Sequence, residues 1–189
     1  MITTDAINRI LRESAETKLA AQSLADGIAT FARWMSETYR NDQKVILFGN
    51  GGSLCDAAHI AGELVGRFKR ERRGLPAIAL TDPTIMTALG NDYDYSTVFA
   101  RQVNAFCRDG DLAVGISTSG RSANVLAALR VAREQGAKTV ALTGANGECM
   151  SEVADLVLAV PSSDTPRIQE CHITIGHIIC ELVEQDLEQ

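Results

Sequence analysis

Residues 49–63 read GNGGSLCDAAHIAGE, a glycine-rich turn followed by His59 and Glu63 four residues apart. Four residues is about one helical turn, so the imidazole and the carboxylate would share one helix face. Such a pair can move protons or hold a metal cation. Arg67 would extend the same face by another turn. The plainer readings are a hydrogen-bonded imidazole and a Glu63–Arg67 surface pair worth about 0.3 kcal/mol. Cys55 also lies on this face, which raises a Cys–His nucleophile, but nothing else in the chain supports acyl transfer.

The turn itself, with Asn50, Gly51, Gly52 and Ser53, suits an anion. Glycines let backbone amides crowd toward a ligand, and a helix N-terminus favours negative charge. It is not a dinucleotide fingerprint, because Leu54 stands where the third glycine is needed. A second loop, STSGRS at 117–122, gathers Ser117, Thr118, Ser119 and Ser122 around one point, as a phosphate monoester requires. No lysine follows it, so it is not the loop of a nucleotide hydrolase. Ser122 alone would also serve as a plain helix N-cap. Near the end of the chain, RIQECHITIGHIICELVEQ offers Gln169, His172 and His177. Gln169 and His177 are eight residues apart, roughly 80° around a helix, whereas Gln169 and His172 are three apart. Spacing does not choose between the histidines, and either would also fit a packed core.

Elements must bring these segments together. The first forty residues carry apolar side chains at three- and four-residue intervals and read as helix. Five short apolar runs follow, at 44–49, 76–81, 111–117, 138–144 and 155–161, separated by helical stretches. Near-continuous apolar strands alternating with helices predict a doubly wound α/β fold, a five-stranded parallel sheet with helices on both faces. Ligands in such folds sit beyond the carboxyl ends of the strands, where both loops fall. A final helix is expected over about 166–187. The chain reads as one domain, residues 1–189, with a helical region at 1–41 and an α/β core at 42–189. The N-terminal helices stand outside the repeating unit, so another subunit is expected to cover their apolar faces.

Composition fits this reading. Hydrophobic residues make up 46% and charged residues 22% of the 189, with a formal net charge of −6. That balance disfavours general nucleic-acid or anionic-membrane binding. No stretch approaches the roughly 20 apolar residues of a membrane span. The N-terminus MITTDAINRILRESAE lacks an apolar signal core, so secretion is not expected. Five cysteines form no CxxC, which suits a reducing cytoplasm. RFKRERR at 67–73 reads as a solvated basic turn with Arg67 toward the site. Cys171 and Cys180 read as core residues, and Phe31 and Trp34 as packing between the N-terminal helices.

Taken together, GNGGSxCDAxHxAxEL, PAIAL, GND, GISTSGxSxNV, ALTG and RIQExHIxxxH resemble the sugar isomerase (SIS) family of phosphosugar-binding domains. Within that family the resemblance points to the branch acting on phosphorylated heptoses. It implies interconversion of D-sedoheptulose 7-phosphate and D-glycero-D-manno-heptose 7-phosphate, the first step toward nucleotide-activated heptoses. It implies a homotetramer with active sites between subunits. Asn50, Gly51, Gly52, Ser53, Ser117, Thr118, Ser119 and Ser122 would hold the substrate, with Arg67, Asn91, Asp92 and Gln169 also in contact. Glu63 would be the carbon base and His177, not His172, the acid/base at the oxygens. Where relatives bind zinc, the ligands would correspond to His59, Glu63, Gln169 and His177. Leu54, Arg121 and Pro166 depart from the family pattern. Pro166 replaces an aspartate found in some relatives, whose contact Asp164 would have to supply. A non-catalytic phosphosugar-binding or replication-initiator-binding relative, or an isomerase of another phosphosugar, is the alternative. Such binding relatives tend to lose the carboxylate or the final histidine, and here both positions are filled.

Overall fold

The computed structural model describes residues 2–188. The chain opens with α1 (Thr4–Ala20), a 3-10 turn at 21–24 and α2 (Ala25–Arg40). The alternating part follows as β1 (Val45–Gly49), α3 (Gly52–Val65), β2 (Ala77–Ala79), α4 (Pro83–Asp92) and α5 (Val98–Phe106). It continues through β3 (Leu112–Ser117), α6 (Ala123–Glu134), β4 (Lys138–Gly144), β5 (Leu156–Val160) and α7 (Thr165–Leu187).

The five apolar runs form one parallel sheet in the order β2-β1-β3-β4-β5. Every residue of β1 and β3 is buried, the mark of strands covered on both faces. Alternation feeds two cores. Val45 and Leu47 point toward the layer holding α2, α3 and α7, while Ile46 and Phe48 join α5 and α6 on the other side. The edge strand β2 is shorter than the apolar run at 76–81 and pairs only with β1. Leu80 still donates its backbone N–H to Leu47 at 3.0 Å.

From β1 the chain steps outward to β2, then crosses back to β3 on the other side of β1. This reversal leaves a crevice at the carboxyl ends of β1 and β3. Their register sets Gly49 beside Ile116, so GNGGS and STSGRS begin side by side.

The N-terminal residues are helical as expected, but their aromatics pack differently. Phe31 is buried with Met35 and Tyr39 in the core beneath the sheet. Trp34 lies under Lys138, whose Nζ is 5.1 Å from the ring centre. Helical periodicity marks an apolar face without saying what covers it, and here the sheet covers α2. No residue of α1 is buried. Among the described residues, no helix is long and apolar enough to cross a membrane.

Candidate active site

The GNGGS turn works through its backbone. Gly51, at φ 56° and ψ −122°, takes a conformation that side chains with a Cβ rarely adopt, which lets the chain turn sharply into α3. The positive end of α3 therefore opens at the crevice. Ser53 is buried in its first turn.

In the STSGRS loop, Ser117 Oγ is 2.9 Å from Ser122 Oγ and 3.5 Å from Ser119 Oγ. Ser119 Oγ also accepts the Arg121 N–H at 3.2 Å. Gly120, at φ 65°, closes the turn. Ser122 occupies the N-cap position of α6, yet its hydroxyl makes no capping bond and faces Ser117 instead. Plain capping therefore does not explain this serine. Two hollows flank the loop. Thr118, Ser119, Arg121, Ser162, Ser163 and Thr165 line one, beside the start of α7. Asn50, Tyr95, Ser96, Ser122 and Asn124 line the other.

The two loops are tied directly. Asn50 Nδ2 donates to Asn124 Oδ1 and Asn124 Nδ2 donates to Asn50 Oδ1, both at 2.9 Å. The Tyr95 hydroxyl donates to Asn50 Oδ1 at 3.2 Å. Asn124 stands within the GISTSGxSxNV motif without an assigned role there, and nothing in the sequence singled out Tyr95.

The helices α3 and α7 pack side by side, and this contact separates the two histidines. His177 Nε2 lies 3.0 Å from His59 Nε2, and His59 Nε2 lies 3.3 Å from Glu63 Oε1. The ligand atoms of His59, Glu63 and His177 all fall within 4.8 Å of one another. His172 is fully buried instead, with Nε2 at 3.1 Å from the Thr143 carbonyl. A carbonyl only accepts, so that nitrogen carries the proton. Burial drives the His172 pKa down to about 4, despite the opposing bond to Thr143. Gln169 stands over the first turn of α3, where a methyl on Gly52 would meet its Nε2 at 2.5 Å.

Other expected residues are placed differently. Arg67 does not extend the α3 face. The helix stops at Val65, Gly66 closes the last turn by donating its N–H to Gly62, and the exposed Arg67 pairs with Glu71 at 3.6 Å. Asn91 and Asp92 end α4, exposed and bonded to each other at 2.9 Å, a few residues before Tyr95. Asp164 is an exposed N-cap of α7 with no capping bond, and Pro166 sits in the first turn of that helix. Cys55 is exposed, whereas Cys171 and Cys180 are buried as expected. The basic run is not simply solvated, because the Arg72 side chain is 10% exposed and bonds Glu184 at 2.9 Å. Nothing in the sequence marks this partner, which lies on α7.

The donor set at the His59–Glu63–His177 cluster, two imidazole nitrogens and one carboxylate oxygen, suits a borderline cation such as zinc. Tetrahedral bonds of about 2.0–2.1 Å place ligand atoms about 3.3 Å apart. The separations of 3.0 and 3.3 Å at His59 match that spacing.

A serine-edged crevice at the β1/β3 reversal and, where α3 packs on α7, a cluster of two histidines and a carboxylate together define a class. The SIS domain family model matches residues 5–144, and the chain belongs to that family. Its relatives include the phosphoheptose isomerase of Aquifex aeolicus, 55% identical over 96% of both chains. That of Geobacter sulfurreducens is 52% identical over 97% of this chain and 98% of its own. Among solved structures, the phosphoheptose isomerase from Francisella tularensis aligns with a TM-score of 0.93 at 38% identity, covering 98% of this chain and 100% of its own. The phosphoheptose isomerase GmhA from Neisseria gonorrhoeae gives 0.90 at 39%, covering 96% and 98%.

Proposed function

We propose that this chain is an aldose–ketose isomerase of phosphorylated heptoses, interconverting D-sedoheptulose 7-phosphate and D-glycero-D-manno-heptose 7-phosphate at the start of nucleotide-activated heptose synthesis. One observation carries the reading: Glu63 and His177, from different helices, converge with His59 into one cluster. Phosphoheptose isomerases similar over nearly the whole chain support the substrate class.

Moving the carbonyl from C2 to C1 takes a proton from C1 and returns one to C2 through a cis-enediol. Glu63 is the base that carries it. A proton also leaves O1 while another reaches O2, and His177 moves these. The hydroxyls and amides of 117–122, with the N-termini of α3 and α6, hold the phosphate, so its binding energy positions C1 and C2. Asn50, Gly51, Gly52, Ser53 and Gln169 line the approach, and Asn91 and Asp92 meet sugar hydroxyls. Arg67 reaches the substrate only by releasing Glu71.

His59, Glu63 and His177, with Gln169 as a fourth ligand, would hold one zinc ion per subunit. Glu63 would act as base only when released from that ion, since a carboxylate fully engaged with zinc cannot take a proton. When bound, the ion supplies a Lewis acid that polarises the sugar carbonyl. The enzyme works in the cytoplasm as a homotetramer. Exposed apolar residues on α1 support the assembly, as does a hollow lined by Ala21, Ala25, Ile28, Ile175, Ile178 and Leu182.

The test incubates the protein with sedoheptulose 7-phosphate, with and without a chelator, and follows the aldose. Conversion is expected, with loss on chelation. Phosphosugar binding without conversion would overturn the enzymatic reading.

A further inference from the structure

Two turns beyond His177, α7 carries a carboxylate that the mechanism does not use. Glu184 is 2% exposed. A charge buried this far is costly unless both oxygens are paired. Both are. Oε1 accepts the Phe68 N–H at 2.8 Å and Arg72 Nε at 2.9 Å. Oε2 accepts the N–H groups of Lys69 and Arg70 at 2.9 and 3.1 Å. Burial pushes this carboxyl up, but the three amides and Arg72 outweigh it and hold it below the usual range.

Each contact leads to the proposed proton carriers. Arg72 Nη2 donates to the Glu63 carbonyl at 2.9 Å, and Nη1 to the Leu64 carbonyl at 2.8 Å. These belong to the last turn of α3, whose carbonyls have no helical partner. The backbone held by Glu184 also carries Phe68, whose ring stacks on His177 at 5.3 Å between centres and 26° between planes. One carboxylate on α7 thus fixes the end of the helix that bears Glu63 and seats the ring that backs His177.

We infer that Glu184 is a positioning residue: through Arg72 and the 68–70 backbone it holds Glu63 and His177 at their working separation. The inference rests on the reading that these two residues transfer the protons. Removing the charge while keeping the shape loosens this clamp at one end of the crevice. The phosphate loop at 117–122 belongs to other elements. Turnover should therefore fall while substrate affinity holds.

The experiment measures kcat and KM with sedoheptulose 7-phosphate, per folded enzyme, for Glu184→Gln, Phe68→Ala and Phe68→Tyr. It also follows the His177 ring protons by NMR in substrate-free protein. For Glu184→Gln, kcat is expected to drop at least tenfold with KM within twofold, and the ring-current shift from Phe68 should disappear. Phe68→Ala should lose turnover in the same way, and Phe68→Tyr, which restores the stacked ring, should recover it. If folded Glu184→Gln and Phe68→Ala both keep kcat within twofold, the inference is overturned. An unchanged His177 signal in Glu184→Gln overturns it as well. Should Glu184→Gln fail to fold, the half-buried Phe68 pair decides on its own. Wild-type protein that converts no heptose phosphate removes the functional reading and this inference with it, a result distinct from active wild type with indifferent variants.

Discussion

His172 and His177 stand five residues apart on one helix, in different surroundings. His172 is sealed under the sheet, its Nε2–H donated to the Thr143 carbonyl, while His177 faces across to α3. Their difference has a measurable consequence. The imidazole of His172 titrates near 6.5 when unfolded and at about 4 when folded. Because the unfolded chain binds the proton more tightly, this group's contribution is intact above pH 6.5 and is lost as pH falls toward 4. The full loss is about 3 kcal/mol. In urea titrations at pH 7 and 4.5, His172→Gln should lose about 2 kcal/mol less than wild type over that interval. Equal losses would mean the buried imidazole contributes nothing to acid sensitivity. At the other pole, Glu63→Gln keeps the shape and removes the proposed base. Its kcat should fall by about 10²–10⁴ with phosphosugar binding retained, as isothermal titration can check. Which histidine does which task was not legible from spacing, since angle around a helix does not say which neighbour lies there. The resemblance chose His177, and it is this histidine that meets His59 across the α3–α7 contact.

Elements were more legible than side-chain contacts. All five strands lie within the apolar runs, because a strand buried on both faces cannot hide its composition. The failure at Arg67 is instructive: counting turns carried the face past Gly66, a residue type that commonly ends helices. Arg72 was hidden for a different reason, since its partner is more than a hundred residues away. Gly176 shows how closely α3 and α7 must meet. A methyl there would lie 2.7 Å from Cγ1 and Cδ1 of Ile60. In a helix, Gly→Ala gains about 1 kcal/mol, whereas overpacking costs about 1–3 kcal/mol. Gly176→Ala should therefore lower stability by only about 1 kcal/mol. It should cut kcat by about tenfold, because displacing the helices even slightly separates the acid and base. Denaturation midpoints and steady-state rates measured together test this; a stabilised variant with full turnover would show that the interhelical gap tolerates the methyl.

At the scale of the whole molecule, α1 is the part least explained by one chain. Ile7, Ile10, Leu11 and Leu19 are all exposed. A single subunit leaves them in water, and the proposed tetramer removes them from it. Light scattering should give the mass of four chains, and Ile10→Glu with Leu11→Glu should yield smaller species of reduced activity. A wild-type monomer with full activity would end that proposal. The sequence placed both N-terminal helices outside the repeating unit, which holds for α1 but not for α2, and it did not say which face a partner takes, since that depends on a second surface. At the centre of the molecule, the reciprocal amides of Asn50 and Asn124 join the two halves of the crevice, donor to acceptor in both directions. Such a pair acts as one unit: changing either asparagine alone to aspartate sets two acceptors against each other, and only a matching change in its mate would relieve them.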